Sequence, residues 1–288
     1  MKIYSKEPLK SFTSFKIGGE ADIIAEPKDI KELVELIKFL RNKGIIFYIL
    51  GNGTNILVSD KGVRGCVVHL GDNLSKIKVN GTKIEAESGA LLSTIAQVAL
   101  KNKLQGLEQL SGIPGSIGGA VAMNAGAYDR EIKDVVTSVN AINENGRVIK
   151  LTKDALDFSY RRSSILEKNY IVTSVTMNLQ PGDREEIKAN MSKYAELRQK
   201  KQPLDLPSAG SIFKRPEGKY AALLIKDSNL MGESVGDAEV STKHAGFIVN
   251  KGNAKASEVY KLMNIIKNDV KTYFNVDLEH EIKLWGKF

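Results

Sequence analysis

Three short polar clusters and two glycine-rich segments hold the residues of this chain whose types and spacing can do chemistry. In Tyr160-Arg161-Arg162-Ser163 a guanidinium fork held between Tyr160 and Ser163 can clamp a carboxylate, although tandem arginines are more often a solvated surface pair. In Ser208-Ala-Gly-Ser211-Ile-Phe-Lys214-Arg215-Pro216 the Ser211 hydroxyl sits among small residues with Lys214 and Arg215 nearby. No Gly-x-Ser-x-Gly elbow and no obvious histidine partner accompany it, which argues against a hydrolase triad. Ser211 then reads as a proton donor, against the plainer reading of a turn followed by a short strand. In Leu278–Trp285, alternation puts Leu278, His280, Ile282 and Leu284 on one face and Glu279, Glu281 and Lys283 on the other, which predicts exposed glutamates.

The glycine segments suit an anion. Ser111–Gly126 carries glycine at 112, 115, 118, 119 and 126 and no charged residue. Glycine lets a ligand approach the main chain, and N–H groups exposed this way, ending at a helix start, suit a phosphate or diphosphate. The spacing is wrong for a P-loop, since no Gly-Lys-Ser/Thr follows, and wrong for a dinucleotide fingerprint. An isolated run of this kind reads best as a structural turn. A second loop, Gly51-Asn52-Gly53-Thr54-Asn55, set between the apolar runs Ile45–Leu50 and Ile56–Val58, shifts the balance towards a shared extended anion. Alone, Gly-Asn-Gly is most often a hairpin turn.

The elements that must position these residues are mixed α and β throughout. Residues 21–26 read as a strand, 29–42 as a helix with Ile30, Leu33, Val34, Ile37 and Leu40 on one face, and 65–70 as a strand. Hairpins are expected around Asn80-Gly81 and Asn145-Gly146, helices over 91–103, 183–201 and 257–274, a short helix over 219–226, and strands over 170–179 and 246–250. Gln202-Pro-Leu-Asp-Leu-Pro207 is the best candidate boundary, because proline stops a helix and forces extended backbone. The expected fold class is α+β, a nucleotide-holding region of about 190 residues followed by a smaller domain.

Composition excludes several classes of function. Apolar residues at 42% and charged residues at 26% are those of an ordinary globular chain. No run approaches a membrane span and the start lacks a signal peptide, so a cytoplasmic location is expected. The single cysteine, Cys66, lies in an apolar run and reads as a buried inert thiol; the three histidines are scattered, so no metal site is expected. The net charge of +8 raises nucleic-acid binding, but the lysines interleave with acids on helix faces and no nucleic-acid fold motif appears. No nucleic-acid or membrane partner is therefore expected, and the chain is expected to be a monomer.

Taken in order, the motifs resemble one family. Thr13-Ser-Phe-Lys-Ile-Gly-Gly19, Leu50-Gly-Asn-Gly-Thr-Asn55, Gly112–Ala120, Met123-Asn-Ala-Gly-Ala-Tyr128, Tyr160-Arg-x-Ser163, Ala209-Gly-Ser-Ile-Phe-Lys214, Lys243-His-Ala-Gly-Phe247 and Glu281-Ile-Lys-Leu-Trp-Gly286 together resemble the UDP-N-acetylenolpyruvoylglucosamine reductase (MurB) family over nearly the whole chain. The resemblance implies an FAD-binding module of the vanillyl-alcohol-oxidase type, built of two α/β subdomains, and a smaller α+β substrate-binding domain. The expected boundaries are 1–194 for the first region, with subdomains of about 1–72 and 73–194, and 195–275 for the second, with a closing strand over 276–288 returning to the FAD region.

The implied chemistry is reduction of the enolpyruvyl ether of UDP-N-acetylglucosamine, with NADPH as hydride donor and noncovalent FAD as carrier. The resemblance makes Arg161, Ser211 and Glu281 catalytic, with Ser211 as the proton donor, and Tyr160, Lys214 and Arg215 substrate-binding. It gives the cofactor to Gly51, Asn52, Gly53, Thr54, Asn55, Gly112, Ile113, Pro114, Gly115, Ser116, Gly118, Gly119, Asn124 and Gly126. His69 lies well outside the first loop in sequence, so no histidine is expected to bond the flavin covalently. The short 163–211 interval looks like the compact second type of the family, which lacks a tyrosine-bearing closing loop. The alternatives are another noncovalent FAD oxidoreductase of the same superfamily and a basic nucleic-acid-binding protein.

Overall fold

A computed structural model describes residues 1–288, which divide into two compact units. Unit 1 comprises residues 1–4, 24–52 and 66–198, and unit 2 comprises 5–23, 53–65 and 199–288. No helix is long and apolar enough to cross a membrane.

Unit 1 is built around two main strand systems, beside the short pairs Leu104–Gln105 with Gln180–Pro181 and Gly126–Ala127 with Arg130–Glu131. The strand Phe47–Leu50 pairs in parallel with Cys66–His69, in the register Phe47 to Cys66 through Leu50 to His69. Against them lies the helix Ile30–Asn42, whose N-cap Asp29 accepts from the Glu32 N–H and whose Leu33, Ile37 and Leu40 join Ala25, Val68 and Leu70 in one core. The second system is a five-stranded antiparallel sheet in the order Val148–Thr152, Val136–Ile142, Ile171–Asn178, Lys83–Glu87, Ile77–Asn80. Both expected Asn-Gly hairpins are present, with Gly81 and Gly146 at positive φ. The helices Leu92–Lys101 and Ile117–Ala122 bury Ile95, Ala99, Ile117 and Val121 in this sheet's core.

Unit 2 holds a four-stranded antiparallel sheet, Ser208–Ser211, Phe247–Asn250, Ala238–Val240, Ser234–Val235. The helix Ala256–Phe274 packs Val259, Leu262, Met263, Ile266 and Val270 into its core. The strand Lys283–Trp285 pairs in parallel with Ile56–Val58.

The compact units do not follow the expected boundaries segment by segment: the break after Arg198 lies four residues past 194, and residues 5–23, 53–65 and 276–288 group with 199–275. For 276–288 the physical reason is that their partner strand Ile56–Val58 is itself part of unit 2, where Leu57, Leu278 and Ile282 share the core of the helix Ala256–Phe274.

Candidate functional site

The two glycine segments approach each other within unit 1. A Cβ placed on Gly51 would sit 2.3 Å from the Ser116 hydroxyl oxygen, so the bare main chain of Gly51 lets the Ser116 side chain lie against it. The Asn52 side-chain amide donates to the Pro114 carbonyl at 2.5 Å. Gly118 lies on the turn after the strand Lys83–Glu87, where a Cβ would stand 3.0 Å from the Ser88 carbonyl oxygen. Ile113 is half-buried against the same core.

At the start of the short helix Ile117–Ala122 the Ile117 and Gly118 N–H groups donate to the carbonyls of Ala90 at 2.8 Å and Ser88 at 2.9 Å, so protein satisfies these two donors. Gly115 likewise gives its carbonyl to the Leu92 N–H.

Asn124 is fully buried at φ 42°. Its amide donates to the Ser159 carbonyl at 2.9 Å and its oxygen accepts from the Lys133 N–H at 3.2 Å, so its side chain fastens the glycine segment to the Tyr160 turn.

A pocket of about 430 Å³ opens beside the first loop, lined among others by Glu26, Gly51, Asn52, His69, Asp72 and Leu91. His69 lies well outside this loop in sequence. The parallel register that sets Leu50 opposite His69 brings it there, where its Nδ1 lies 2.8 Å from a Glu26 carboxylate oxygen. Sequence separation hides such a pairing, and only the parallel strand match of 47–50 with 66–69 could have found it. A pocket of a few hundred cubic ångströms beside the uncharged first glycine loop suits part of a dinucleotide, from whose hydroxyls Glu26 and Asp72 can accept.

The Tyr160 cluster forms a tight turn in unit 1. Ser159 and Arg162 exchange both backbone hydrogen bonds at 3.2 Å, leaving Tyr160 and Arg161 at the tip. Arg161 takes φ 55°, its guanidinium donates to the Gly126 carbonyl at 3.4 Å and lies 5.0 Å from the Tyr160 ring centre. The Ser163 hydroxyl, fully buried, donates to the Ala122 carbonyl at 2.7 Å and fixes the turn to the end of the glycine helix. Arg162, in contrast, is exposed and paired with Glu167.

In unit 2 the chain after Ser211 crosses the chain around Glu281. Phe213 and His280 form an antiparallel bridge, the Glu281 N–H donates to the Ile212 carbonyl at 2.8 Å and the Lys214 N–H donates to the Glu279 carbonyl at 2.8 Å. Ser211 itself is half-buried at the end of Ser208–Ser211, opposite Phe247, after Gly210 at φ 77°. The crossing settles the expected exposure of the glutamates unequally, for Glu279 is exposed and ion-paired with Lys214, whereas Glu281 is half-buried. Arg215 is exposed with its guanidinium 4.5 Å from the Tyr220 ring centre.

The rest of the first loop also lies in unit 2. Gly53, at φ 61°, has no room for a Cβ, which would meet the Phe12 carbonyl oxygen at 2.0 Å. Its own carbonyl accepts from the Ser14 N–H at 3.1 Å. Thr54 is half-buried. Asn55 donates its amide to the Glu281 carbonyl at 3.3 Å and accepts from the Lys283 N–H at 3.0 Å, so it anchors the backbone of the closing segment.

Comparison with known proteins accounts for both units. The family described as "FAD binding domain" matches residues 21–152, which include both glycine segments, and "UDP-N-acetylenolpyruvoylglucosamine reductase, C-terminal domain" matches 202–285. A UDP-N-acetylenolpyruvoylglucosamine reductase from Clostridium novyi is 50% identical over 279 residues, 97% of this chain and 91% of that protein. One from Caldanaerobacter subterraneus is 52% identical over 286 residues, 99% of this chain and 94% of that protein. The crystal structure of the MurB reductase from Thermus caldophilus superposes with a TM-score of 0.85 at 34% identity, covering 99% of this chain and 98% of that one. The fold is therefore an FAD-binding module with a smaller α+β domain, FAD is its cofactor, and the chain belongs to the UDP-N-acetylenolpyruvoylglucosamine reductase (MurB) family.

Proposed function

We propose that this protein reduces the enolpyruvyl ether of UDP-N-acetylglucosamine to UDP-N-acetylmuramate in peptidoglycan precursor synthesis, as a monomer in the cytoplasm. Bound FAD supplies the hydride, taken from NADPH. The glycine segments at 51–55 and 112–126 hold the cofactor, with the pocket beside Gly51 and His69 receiving part of it.

The chain's own residues manage charge and a proton. Hydride addition to the terminal enolpyruvyl carbon leaves negative charge on the neighbouring carbon and its carboxylate. Arg161 meets that charge with a guanidinium already fixed by Gly126 and Tyr160, so little reorganisation is needed during reaction. Glu281 assists as a hydrogen-bond donor, which requires it to be protonated. The Ser211 hydroxyl then gives its proton to the carbon, a transfer open to so weak an acid only because the acceptor is carbanion-like. Lys214, Arg215 and Tyr160 bind the remainder of the substrate.

The observation that carries this reading is the crossing of 211–214 with 279–281, which joins the segments of Ser211 and Glu281, distant in sequence, through the Phe213–His280 bridge and the Glu281 N–H bond to the Ile212 carbonyl. The purified protein is expected to be yellow, with the visible spectrum of an oxidised flavin. Ser211→Ala is expected to keep flavin reduction by NADPH and to lose reoxidation by the enolpyruvyl substrate in stopped-flow half-reactions. Loss of both half-reactions, or of neither, removes Ser211 from the role.

A further inference from the structure

Four arginines of this chain are matched with carboxylates: Arg64 with Asp22, Arg130 with Asp134, Arg162 with Glu167 and Arg184 with Glu185. Arg198 is different. It stands in the last turn of the helix Arg184–Lys201, half-buried, and the titratable group that acts on it is the Tyr128 phenol rather than an acid. Burial pushes its guanidinium below the usual arginine range. A shielded cation without a counter-charge is costly, and proteins retain one where a ligand completes it.

The surroundings of Arg198 belong to the second glycine segment. A Cβ on Gly112 would lie 3.2 Å from Arg198 Cδ and 3.8 Å from Nη1, so the arginine stem rests on bare main chain there. On the other side Tyr128, at φ 52° and followed by Asp129 at φ 59°, stacks its ring 4.9 Å from that of Tyr194 and donates its hydroxyl to the Tyr194 carbonyl at 3.4 Å. Tyr128 and Asp129 are the two central residues of the tight hairpin joining Gly126–Ala127 to Arg130–Glu131, whose turn requires positive φ at both and so fixes where the Tyr128 ring stands.

We propose that Arg198, laid along Gly112, is a phosphate-binding residue of this enzyme and takes an oxygen of a diphosphate ligand. The guanidinium fork matches phosphate geometry, and the neighbouring glycine segment adds no competing negative charge. The diphosphate belongs to FAD, to the pyridine nucleotide or to the UDP-sugar; the last two depend on the function proposed above, whereas the first depends on FAD binding alone.

Arg198→Met tests this, since it keeps an unbranched stem over Gly112 and removes the charge. In the holoenzyme, flavin release on dilution and the two half-reactions are followed by fluorescence and stopped flow, with Arg198→Lys alongside. Faster flavin release, by about tenfold, assigns the FAD diphosphate. Unchanged release with a tenfold higher KM for NADPH or for the UDP-sugar, at nearly constant kcat, assigns that ligand instead. The charge-bearing Arg198→Lys is expected to recover part of the loss. In addition, Arg198→Met is expected to match or exceed the wild-type melting temperature without added ligand and to gain less on adding it. Gly112→Ala, which crowds the arginine, is expected to mimic the loss in the wild-type background and to add nothing to Arg198→Met.

Unchanged release and unchanged KM for both substrates overturn the proposal. So does a lowered melting temperature with all three ligands weakened alike, because that marks a purely structural arginine. A wild-type protein that binds FAD but does not reduce the enolpyruvyl ether sinks the proposed function and leaves the FAD arm of the test intact.

Discussion

Arg161 is the residue at which backbone and chemistry meet most directly. A left-handed φ of 55° at a residue with a long side chain costs roughly 1–2 kcal/mol relative to an ordinary conformation. Glycine would remove that cost, so its persistence as arginine points to the guanidinium. Arg161→Gly is therefore expected to change unfolding free energy in urea by less than about 1 kcal/mol, since the lost strain offsets the lost bond to Gly126 and the contact with Tyr160. The same variant is expected to retain flavin reduction while slowing reoxidation by the enolpyruvyl substrate by about 100-fold or more, the size seen on removing one preorganised donor. A destabilisation of several kcal/mol with normal reoxidation would make Arg161 a structural residue. The sequence shows the tandem arginines but not this difference between them: Arg162 is exposed and paired with Glu167, and only the fold turns Arg161 towards Gly126.

At the scale of elements, local pattern and distant pairing part company. The helix Ile30–Asn42 is written wholly in its own residues, from the Asp29 cap to the apolar stripe, and it was legible in sequence for that reason. The helix Ala256–Phe274 was legible in its stripe but not in its start. Its first two N–H groups donate to both carboxylate oxygens of Asp60, at 2.7 Å from Ala256 and 3.0 Å from Ser257. Burial pushes the Asp60 carboxyl up, but the hydrogen bonds from Ser257 and Ala256 outweigh it and hold the carboxyl below its usual range. A cap supplied from the first glycine loop's neighbourhood cannot be found by reading the residues before a helix. The candidate site divides in the same way. The glycine segments and the Tyr160, Ser211 and Glu281 motifs stand out as local strings, whereas His69 reaches the pocket through parallel register and Asn124 turns inward through tertiary bonds. Asp60→Ala is expected to cost about 1–2 kcal/mol in urea unfolding, and Asp60→Asn less, because it keeps one acceptor. Equal stability of Asp60→Ala and wild type would show that the helix starts without this cap.

Across the molecule, the two units differ in how they answer acid. Unit 2 contains His244 and His280, and burial lowers the pKa of both; Lys267 lowers that of His280 further, against a smaller opposing effect of Glu279. His244 is held neutral with its Nδ1 accepting from the Gly246 N–H at 3.1 Å, and the buried Nε2 of His280 makes no hydrogen bond. A histidine whose folded pKa lies below its unfolded value of 6.5 takes up its proton first in the unfolded chain. Stability is thus complete above that pH and is lost as pH falls from 6.5 towards the lower folded pKa values, where the loss levels off. Carboxylates such as Asp60 act only at lower pH, from 3.8 downwards, so the two effects occupy separate windows. The single tryptophan, Trp285, belongs to unit 2 and gives that unit an intrinsic fluorescence signal. Its melting transition is expected to move down between pH 7 and pH 5, and the double variant His244→Gln/His280→Gln is expected to flatten that dependence. Both histidines are only partly shielded, so the shift is expected to be modest, equivalent to about 1 kcal/mol or less. A transition in the double variant that still falls as steeply over this interval would place the acid sensitivity in other groups.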